Sequence, residues 1–204
     1  MKKLFFTLVI LLGCYTLTNA QTRNATEFGI DVGYNSSYLI ESQSNYNTDF
    51  RSGLNVGVSA DHYFSDTWSL KVKAIYDQKG WGNGFIVQPS GPTLYNVDFK
   101  LDYLTVPVMA NWHFGRTRNW YFNFGPYIGF LLDASASDNY PGIKDSFNTV
   151  DGGIALGVGI KIPINQTSKF FIEYDGQGGA TNVFKNSDSN YQNIRESINI
   201  GINF

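Results

Sequence analysis

The chain has 204 residues and a formal net charge of −2, and its aromatic and charged residues each make up 16%. This balance provides no basic stripe of the kind that nucleic-acid-binding proteins use, so a nucleic-acid partner is not expected. After residue 20, no apolar run approaches the roughly twenty residues that a membrane-spanning helix needs, which excludes a helical membrane protein.

The N-terminal segment has the features of an export signal. Two lysines are followed by a largely apolar run, Leu4–Leu12, and Thr18-Asn19-Ala20 provides a small-residue cleavage site. We therefore expect a cleavable signal peptide at 1–20 and a mature domain at 21–204. The alternative is a lipid anchor on Cys14, which follows Leu-Leu-Gly. Because this cysteine is the only one, we expect neither disulfides nor thiolate metal sites after cleavage.

The rest of the sequence alternates apolar and polar residues with a period of two, which indicates β-strands. From Ile154 to Ile164, every even position is a large aliphatic residue and every odd position is small or polar. The last segment alternates in the same way up to Phe204. Behind an export signal, such a strand favours an outer-membrane barrel, because only helices and closed sheets satisfy backbone polar groups in lipid. The predicted strands are Thr26–Ile40, Ser52–Phe64, Thr67–Trp81, Val97–Phe114, Asn119–Ala134, Val150–Ile164, Lys169–Ala180 and Tyr191–Phe204.

The connections between these strands fall into two length classes that alternate along the chain, as they do in outer-membrane barrels. The tight turns are 65–66, 115–118 and 165–168, and the long polar loops are 41–51, 82–96, 135–149 and 181–190. The sequence therefore predicts an all-β fold: an eight-stranded antiparallel transmembrane β-barrel with short periplasmic turns and long extracellular loops, located in the cell outer membrane. Aromatic residues near strand ends are expected in interfacial girdles; they are Phe64, Trp68, Trp81, Trp112, Phe114, Trp120, Tyr121 and Phe204.

Odd-numbered side chains of these strands are expected to face the lumen, and several of them are charged. Eight strands leave room for little beyond side chains, and buried charges must be paired, so we interpret them as a salt-bridged plug. The alternative is a gated ion path or small-ligand site that uses Asp61, Lys71, Lys73 and Glu173. The predicted lumen charge network is Asp31, Asp61, Lys71, Lys73, Asp77, Lys161, Glu173, Asp175 and Arg195, and Lys79 and Asp151 share its parity.

The long loops combine Tyr or Trp with Asn, Ser and Gly, a mixture typical of adaptable binding surfaces and also of ordinary loops. Parity places His62 outward and His113 inward, so these histidines are not expected to share a metal ion or a catalytic triad. We expect no catalytic, cofactor-binding or metal-binding residues. The candidate loop recognition residues are Tyr46, Trp81, Phe85, Tyr140 and Tyr191.

Three segments resemble the outer-membrane β-barrel domain proteins of Bacteroidetes, the group that includes PorT-like proteins: Leu101–Pro107 (LDYLTVP), Tyr121–Ala134 (YFNFGPYIGFLLDA) and Asp151–Pro163 (DGGIALGVGIKIP). The resemblance extends from about Thr26 to Phe204. It implies the barrel fold but little about activity, since most members lack a defined molecular function and the family has no catalytic motif. Some relatives assist protein secretion across the outer membrane.

We therefore expect a structural or interaction role in the outer membrane, in which loops meet a partner or ligand or the barrel assists secretion. The alternative is a narrow transport pore for ions or small solutes, and the third candidate is an outer-membrane enzyme. The expected surroundings are outer-membrane lipid and lipopolysaccharide, with an envelope or secretion protein as a partner. The barrel is expected to be monomeric and to need no cofactor.

Overall fold

The computed structural model describes residues 25–41, 48–88, 91–137, 140 and 142–204. The predicted signal peptide and Tyr46 lie outside the described residues. No helix in the described part of the chain is long and apolar enough to cross a membrane. The strands are β1 Thr26–Glu41, β2 Arg51–Tyr63, β3 Trp68–Ile86, β4 Leu94–Phe114, β5 Trp120–Ala136, β6 Val150–Pro163, β7 Lys169–Gly179 and β8 Tyr191–Asn203, with a short 3-10 helix, Ile143–Ser146, before β6.

The strands pair in chain order and close into a barrel. Each strand is antiparallel to the next, and β1 pairs with β8 from Gly29 opposite Asn203 to Glu41 opposite Tyr191. Closure removes the free sheet edges that would leave backbone groups unpaired in lipid. The predicted eight-stranded antiparallel barrel is therefore confirmed.

The outer face of the barrel is apolar. Ile154 is 62% exposed and Leu156 is 50% exposed, whereas a two-layered sandwich would bury both side chains in its core. The same alternation runs around the whole barrel, so that it presents a continuous apolar belt. Exposed members of this belt include Val32, Val56, Val58, Leu70, Val108, Phe124, Ile128, Leu156, Ile172 and Ile200.

The two ends of the barrel differ. Tight turns after β2, β4 and β6 lie at one end, which we call the short-turn end, and the longer connections lie at the other, the long-loop end. Four aromatic side chains of the predicted girdle are exposed at the short-turn end: Phe64, Trp68, Trp112 and Trp120. The girdle assignment is wrong for Trp81 and Tyr121, which are buried inside because their odd positions on β3 and β5 point inward.

The loop predicted at 82–96 is shorter than expected because β3 continues to Ile86 and β4 begins at Leu94. These strands have 19 and 21 residues, whereas about 9–11 tilted residues cross a bilayer. The pairing is irregular between Trp81 and Gly84. Gly80 has a φ of 142°, and a Cβ atom there would lie 1.9 Å from the Phe99 carbonyl oxygen. Glycine therefore allows β3 to bend where it continues as a two-stranded ribbon, 82–86 paired with 94–98.

The rule that odd residues face inward fails on the ribbon, where Phe85 is exposed, and at the long-loop end of β5. Asp102 lies opposite Asp133 and Tyr103 opposite Leu131, so β5 has one extra residue in a β-bulge. After this bulge the faces exchange: Asp133 is exposed and Ala136 is buried.

Candidate functional site

Charged side chains from six strands fill the lumen. Every residue of the predicted network is buried there, at 8% exposure or less. Sequence reasoning missed Glu27 and Lys169, although both occupy odd positions near the ends of β1 and β7 and their parity could have identified them. We define the lumen network as Glu27, Asp31, Asp61, Lys71, Lys73, Asp77, Lys79, Asp151, Lys161, Lys169, Glu173, Asp175 and Arg195.

Lys161 is the centre of the group nearest the short-turn end. Its Nζ atom donates to Glu27 Oε2 at 2.7 Å, to Asp61 Oδ2 at 3.1 Å and to the Tyr63 hydroxyl at 2.8 Å. Lys169 also pairs with Glu27. Two carboxylates thus face two ammonium groups, which offsets the cost of removing all four from water.

The two histidines do not meet. His62 is exposed on β2 and contacts Thr26 Oγ1 at 2.9 Å through Nδ1. His113 is buried on β4, where its Nε2 atom lies 2.9 Å from Ser69 Oγ and 3.9 Å from Asp61 Oδ2. Among the residues that the structure describes, no cluster of His, Cys, Asp or Glu is arranged to hold a metal ion.

Glu173 organises the middle of the lumen. Its carboxylate accepts hydrogen bonds from Lys71 at 2.6 Å and from Lys73 at 3.2 Å, and Asn123 Nδ2 donates to it at 2.9 Å. Lys73 also reaches Asp31 Oδ2 at 3.2 Å. Three of the residues proposed for an ion path, Lys71, Lys73 and Glu173, are therefore held in mutual ion pairs that span the lumen, whereas the fourth, Asp61, pairs with Lys161.

Arg195 forms the next level toward the long-loop end. Its Nε atom is 3.1 Å from Asp77 Oδ1, and its guanidinium also pairs with Asp175. Asn35 donates to Asp77 and Asn199 donates to Asp175, each at 2.7 Å. Both carboxylates therefore have neutral donors in addition to the shared cation.

Lys79 and Asp151 form the outermost level of the network. They pair at 2.9 Å, and the Tyr127 hydroxyl donates to the same carboxylate at 3.2 Å. The Lys79 Nζ atom also lies 4.7 Å from the Tyr127 ring centroid and 5.3 Å from that of Tyr103, within the range of cation–π contacts.

Little open space is left beside these ion pairs. A cavity lined by Lys73, Glu173 and Gln177 measures only about 10 Å³. A single water molecule needs roughly 10–15 Å³, so this cavity admits one water at most.

An apolar cluster lies between the lumen network and the long-loop end. The Trp81 ring stacks on Phe99, with centroids 4.7 Å apart, and contacts Phe147 and Phe184 edge-on, each at 5.8 Å. Phe184 also contacts Tyr191 at 5.3 Å. We call these five aromatic residues the aromatic cap. Leu39, Ile143 and Val183 are buried in the same cluster.

The aromatic cap forms the floor of a cavity of about 590 Å³, which we call the mouth pocket. Trp81, Phe85, Tyr140 and Tyr191 all line it, so the structure brings the four described loop candidates together. Trp81 is 3% exposed and lies in β3 rather than in a loop, whereas Phe85 is 56% exposed on the ribbon. Sequence reasoning missed Phe147 and Phe184, which occupy irregular segments without a periodic pattern.

Comparisons with known proteins address the fold. The family model described as outer membrane protein beta-barrel domain matches residues 19–203. Among curated proteins, none matches the chain. Similar solved structures are OprG of Pseudomonas aeruginosa (15% identity, 91% of this chain and 99% of that chain, TM-score 0.49), Neisserial surface protein A (17%, 87% and 97%, 0.46) and Ail of Yersinia pestis (13%, 90% and 100%, 0.42). The match along nearly the whole chain shows that this protein belongs to the outer-membrane β-barrel domain family and lies in the cell outer membrane.

Proposed function

We propose that this protein is a closed, non-conducting barrel that acts in recognition at the cell surface. In this role the barrel anchors the chain in the membrane, and the long-loop end presents the binding surface outward, as long loops do in this class of barrel. The observation that carries the proposal is the filled lumen: ion pairs cross it at four levels, and the aromatic cap covers the outermost level.

The ion pairs argue against a permanent path for solutes. A solute that passed the middle of the barrel would have to separate Glu173 from Lys71 and Lys73. Breaking such buried pairs costs about 3–5 kcal/mol. It would then have to displace the rings of the aromatic cap. A narrow pore is nevertheless the alternative that the experiment has to exclude.

We propose a non-enzymatic role. In an outer-membrane enzyme, carboxylates near the long-loop end, such as Asp133, Asp145 and Asp151, would be the candidates for catalysis. Asp133 and Asp145 are exposed, whereas Asp151 is buried and paired with Lys79. This difference in surroundings supports a structural role for Asp151.

We infer the partners from two surfaces of the barrel, the apolar belt and the long-loop end. The apolar belt fits outer-membrane lipid, with lipopolysaccharide in the outer leaflet, and its continuity around the barrel supports a monomer. The three segments Leu101–Pro107, Tyr121–Ala134 and Asp151–Pro163 support a place in the PorT-like group of Bacteroidetes barrels. An envelope or secretion protein is a candidate for a macromolecular partner of the long-loop end.

Conductance in planar bilayers tests the closed lumen. We expect no stable channel from the wild-type barrel. Reproducible single-channel currents that change in Lys71→Ala or Glu173→Ala, but not in the control Asp188→Ala on an exposed loop, would overturn the proposal in favour of a pore.

Crosslinking in cells tests the recognition role. A photoreactive residue at Tyr95, which is 73% exposed on the ribbon, should give discrete products. The matched position is Phe64, which is 51% exposed at the short-turn end. If both positions gave the same crosslinked products, the protein would have no partner specific to the long-loop end, and the recognition role would be wrong.

A further inference from the structure

We propose that the mouth pocket binds a small, uncharged, largely apolar molecule that contains a flat ring system. This inference rests on the proposed recognition role and names the class of ligand. It is based on three properties of this cavity: the absence of charge in its described lining, its aromatic walls and its volume.

The first step concerns charge. The described residues that line the mouth pocket are apolar, aromatic or neutral polar, and none of them is Asp, Glu, Lys or Arg. Transfer of an unpaired ion from water into such surroundings is costly. The pocket is therefore complementary to an uncharged molecule and selects against a carboxylate, a phosphate or an ammonium group.

The second step concerns the shape of the walls. Trp81, Phe147 and Phe184 present rings that already pack on one another with edge-on and tilted geometry, and Trp81 also stacks on Phe99. Aromatic rings favour offset-stacked and edge-to-face contacts, so a flat ring system would extend this arrangement. Leu39 and Ile86 add aliphatic contacts, and Ser187 and Asn186 offer neutral hydrogen-bonding groups.

The third step concerns size. A cavity of about 590 Å³ lies within the range of roughly 300–1,000 Å³ that small-molecule sites occupy. Its lining comes from β1, β3, β4, the 3-10 helix and the connection between β7 and β8. Walls from so many segments form a concave site for a small molecule rather than a flat face for a protein.

The four tryptophans of the chain allow a direct test, since only Trp81 lines the mouth pocket. Trp68, Trp112 and Trp120 lie on the outer face at the short-turn end. Their signals would therefore shift if the probe dissolved in the lipid instead of binding in the mouth pocket. We would label tryptophan with ¹⁵N, fold the protein in phosphatidylcholine nanodiscs and follow the indole N–H signals by NMR. The probes are 2-naphthol, which is uncharged at neutral pH, and naphthalene-2-sulfonate, which keeps the ring system and adds a charge.

We expect 2-naphthol to shift the Trp81 signal saturably, with an affinity at least about tenfold higher than that of naphthalene-2-sulfonate. Phe85→Ala should weaken 2-naphthol binding about fivefold, because one aromatic wall is lost. Phe50→Ala should leave it unchanged, since Phe50 is an exposed phenylalanine at the same end that does not line the pocket. Both positions are exposed, so both variants should fold.

Three results would overturn the inference: a Trp81 signal that does not move, equal affinity for the two probes, or parallel shifts of all four signals. Different results would overturn the proposed function. A conducting wild-type barrel would overturn the closed-lumen proposal even where Trp81 binds the probe. If Tyr95 gave specific crosslinks but 2-naphthol did not bind, the recognition role would stand and the proposed small-molecule ligand would be wrong.

Discussion

The lumen network and the mouth pocket lie in the same barrel, but their side chains differ in kind: the first consists of paired charges, and the described lining of the second is uncharged and aromatic. In the lumen, every member of the network is in a salt bridge. Neutral side chains such as Asn35 and Asn199 donate further hydrogen bonds to the carboxylates. In the mouth pocket, the described lining has no charged residue, and the contacts are between rings. We propose that the first region holds the walls together and closes the path, whereas the second is an open, neutral cavity at the long-loop end. This difference supports the proposal that stability and recognition belong to different levels of the barrel.

The largest effect should come from the centre of the lumen. Glu173→Ala leaves both Lys71 and Lys73 without this carboxylate in a buried site, and we expect a loss of about 3–5 kcal/mol in the free energy of unfolding. Denaturant titration of the barrel in lipid vesicles, followed by heat-modifiable gel mobility, measures it. The control is Asp188→Ala on an exposed loop. Equal unfolding midpoints for the two variants would show that the ion pairs do not hold the barrel.

A smaller loss is expected from the aromatic cap. Phe147 is 1% exposed, and its replacement by Ala removes contacts with Trp81, Phe99 and Phe184. We expect a cost of about 3 kcal/mol, at the low end for such substitutions because the cluster borders a cavity into which neighbours can relax. The same unfolding assay measures the change, with Phe50→Ala as the exposed control. A cost larger than that of Glu173→Ala would mean that the cap, not the lumen, dominates stability.

The junction between the two regions depends on Gly80. An alanine there would combine a φ of 142° with a Cβ atom 1.9 Å from the Phe99 carbonyl oxygen, so we expect Gly80→Ala to cost about 2 kcal/mol. Gly178→Ala is the matched control, because nothing lies within 4 Å of the position of its Cβ atom. A change in the near-ultraviolet circular dichroism, to which Trp81 contributes together with the other aromatic residues, should accompany Gly80→Ala. A fully native spectrum and midpoint would contradict a required bend.

The smallest effect should come from an ion pair outside both regions. Arg118 and Asp66 lie 3.1 Å apart in two short turns, with side chains 44% and 63% exposed. A double-mutant cycle with Arg118→Gln and Asp66→Asn should give a coupling free energy of about 0.5 kcal/mol or less, because water screens the pair. A coupling as large as that between Lys71 and Glu173, measured in a parallel cycle, would show that burial is not what makes the lumen pairs strong.

The sequence was a good guide to the wall of the barrel and a poor one to its outer end. Period-two alternation located all eight strands, with ends close to those observed except where β3 and β4 extend into the ribbon, and parity placed Lys71 and Glu173 inside. The same rule failed beyond Leu131, where a β-bulge exchanges the two faces of β5. The loop predicted at 82–96 proved to be mostly strand, because a ribbon stabilised by cross-strand contacts needs no strict alternation.

The alternation of residue types determined the strand number and the polar character of the lumen, because each inward position is fixed by its neighbours along one strand. The export signal and the alternating lengths of the connections indicated an antiparallel closed barrel. Only the tertiary structure decided which charges pair, since Lys161 and Glu27 are far apart in sequence and meet across the lumen. It also decided that Trp81 lies beside Phe147 and Phe184 in one cap. Those contacts join β3 to two irregular segments, whose conformation is set by the side chains they pack against rather than by a local repeat.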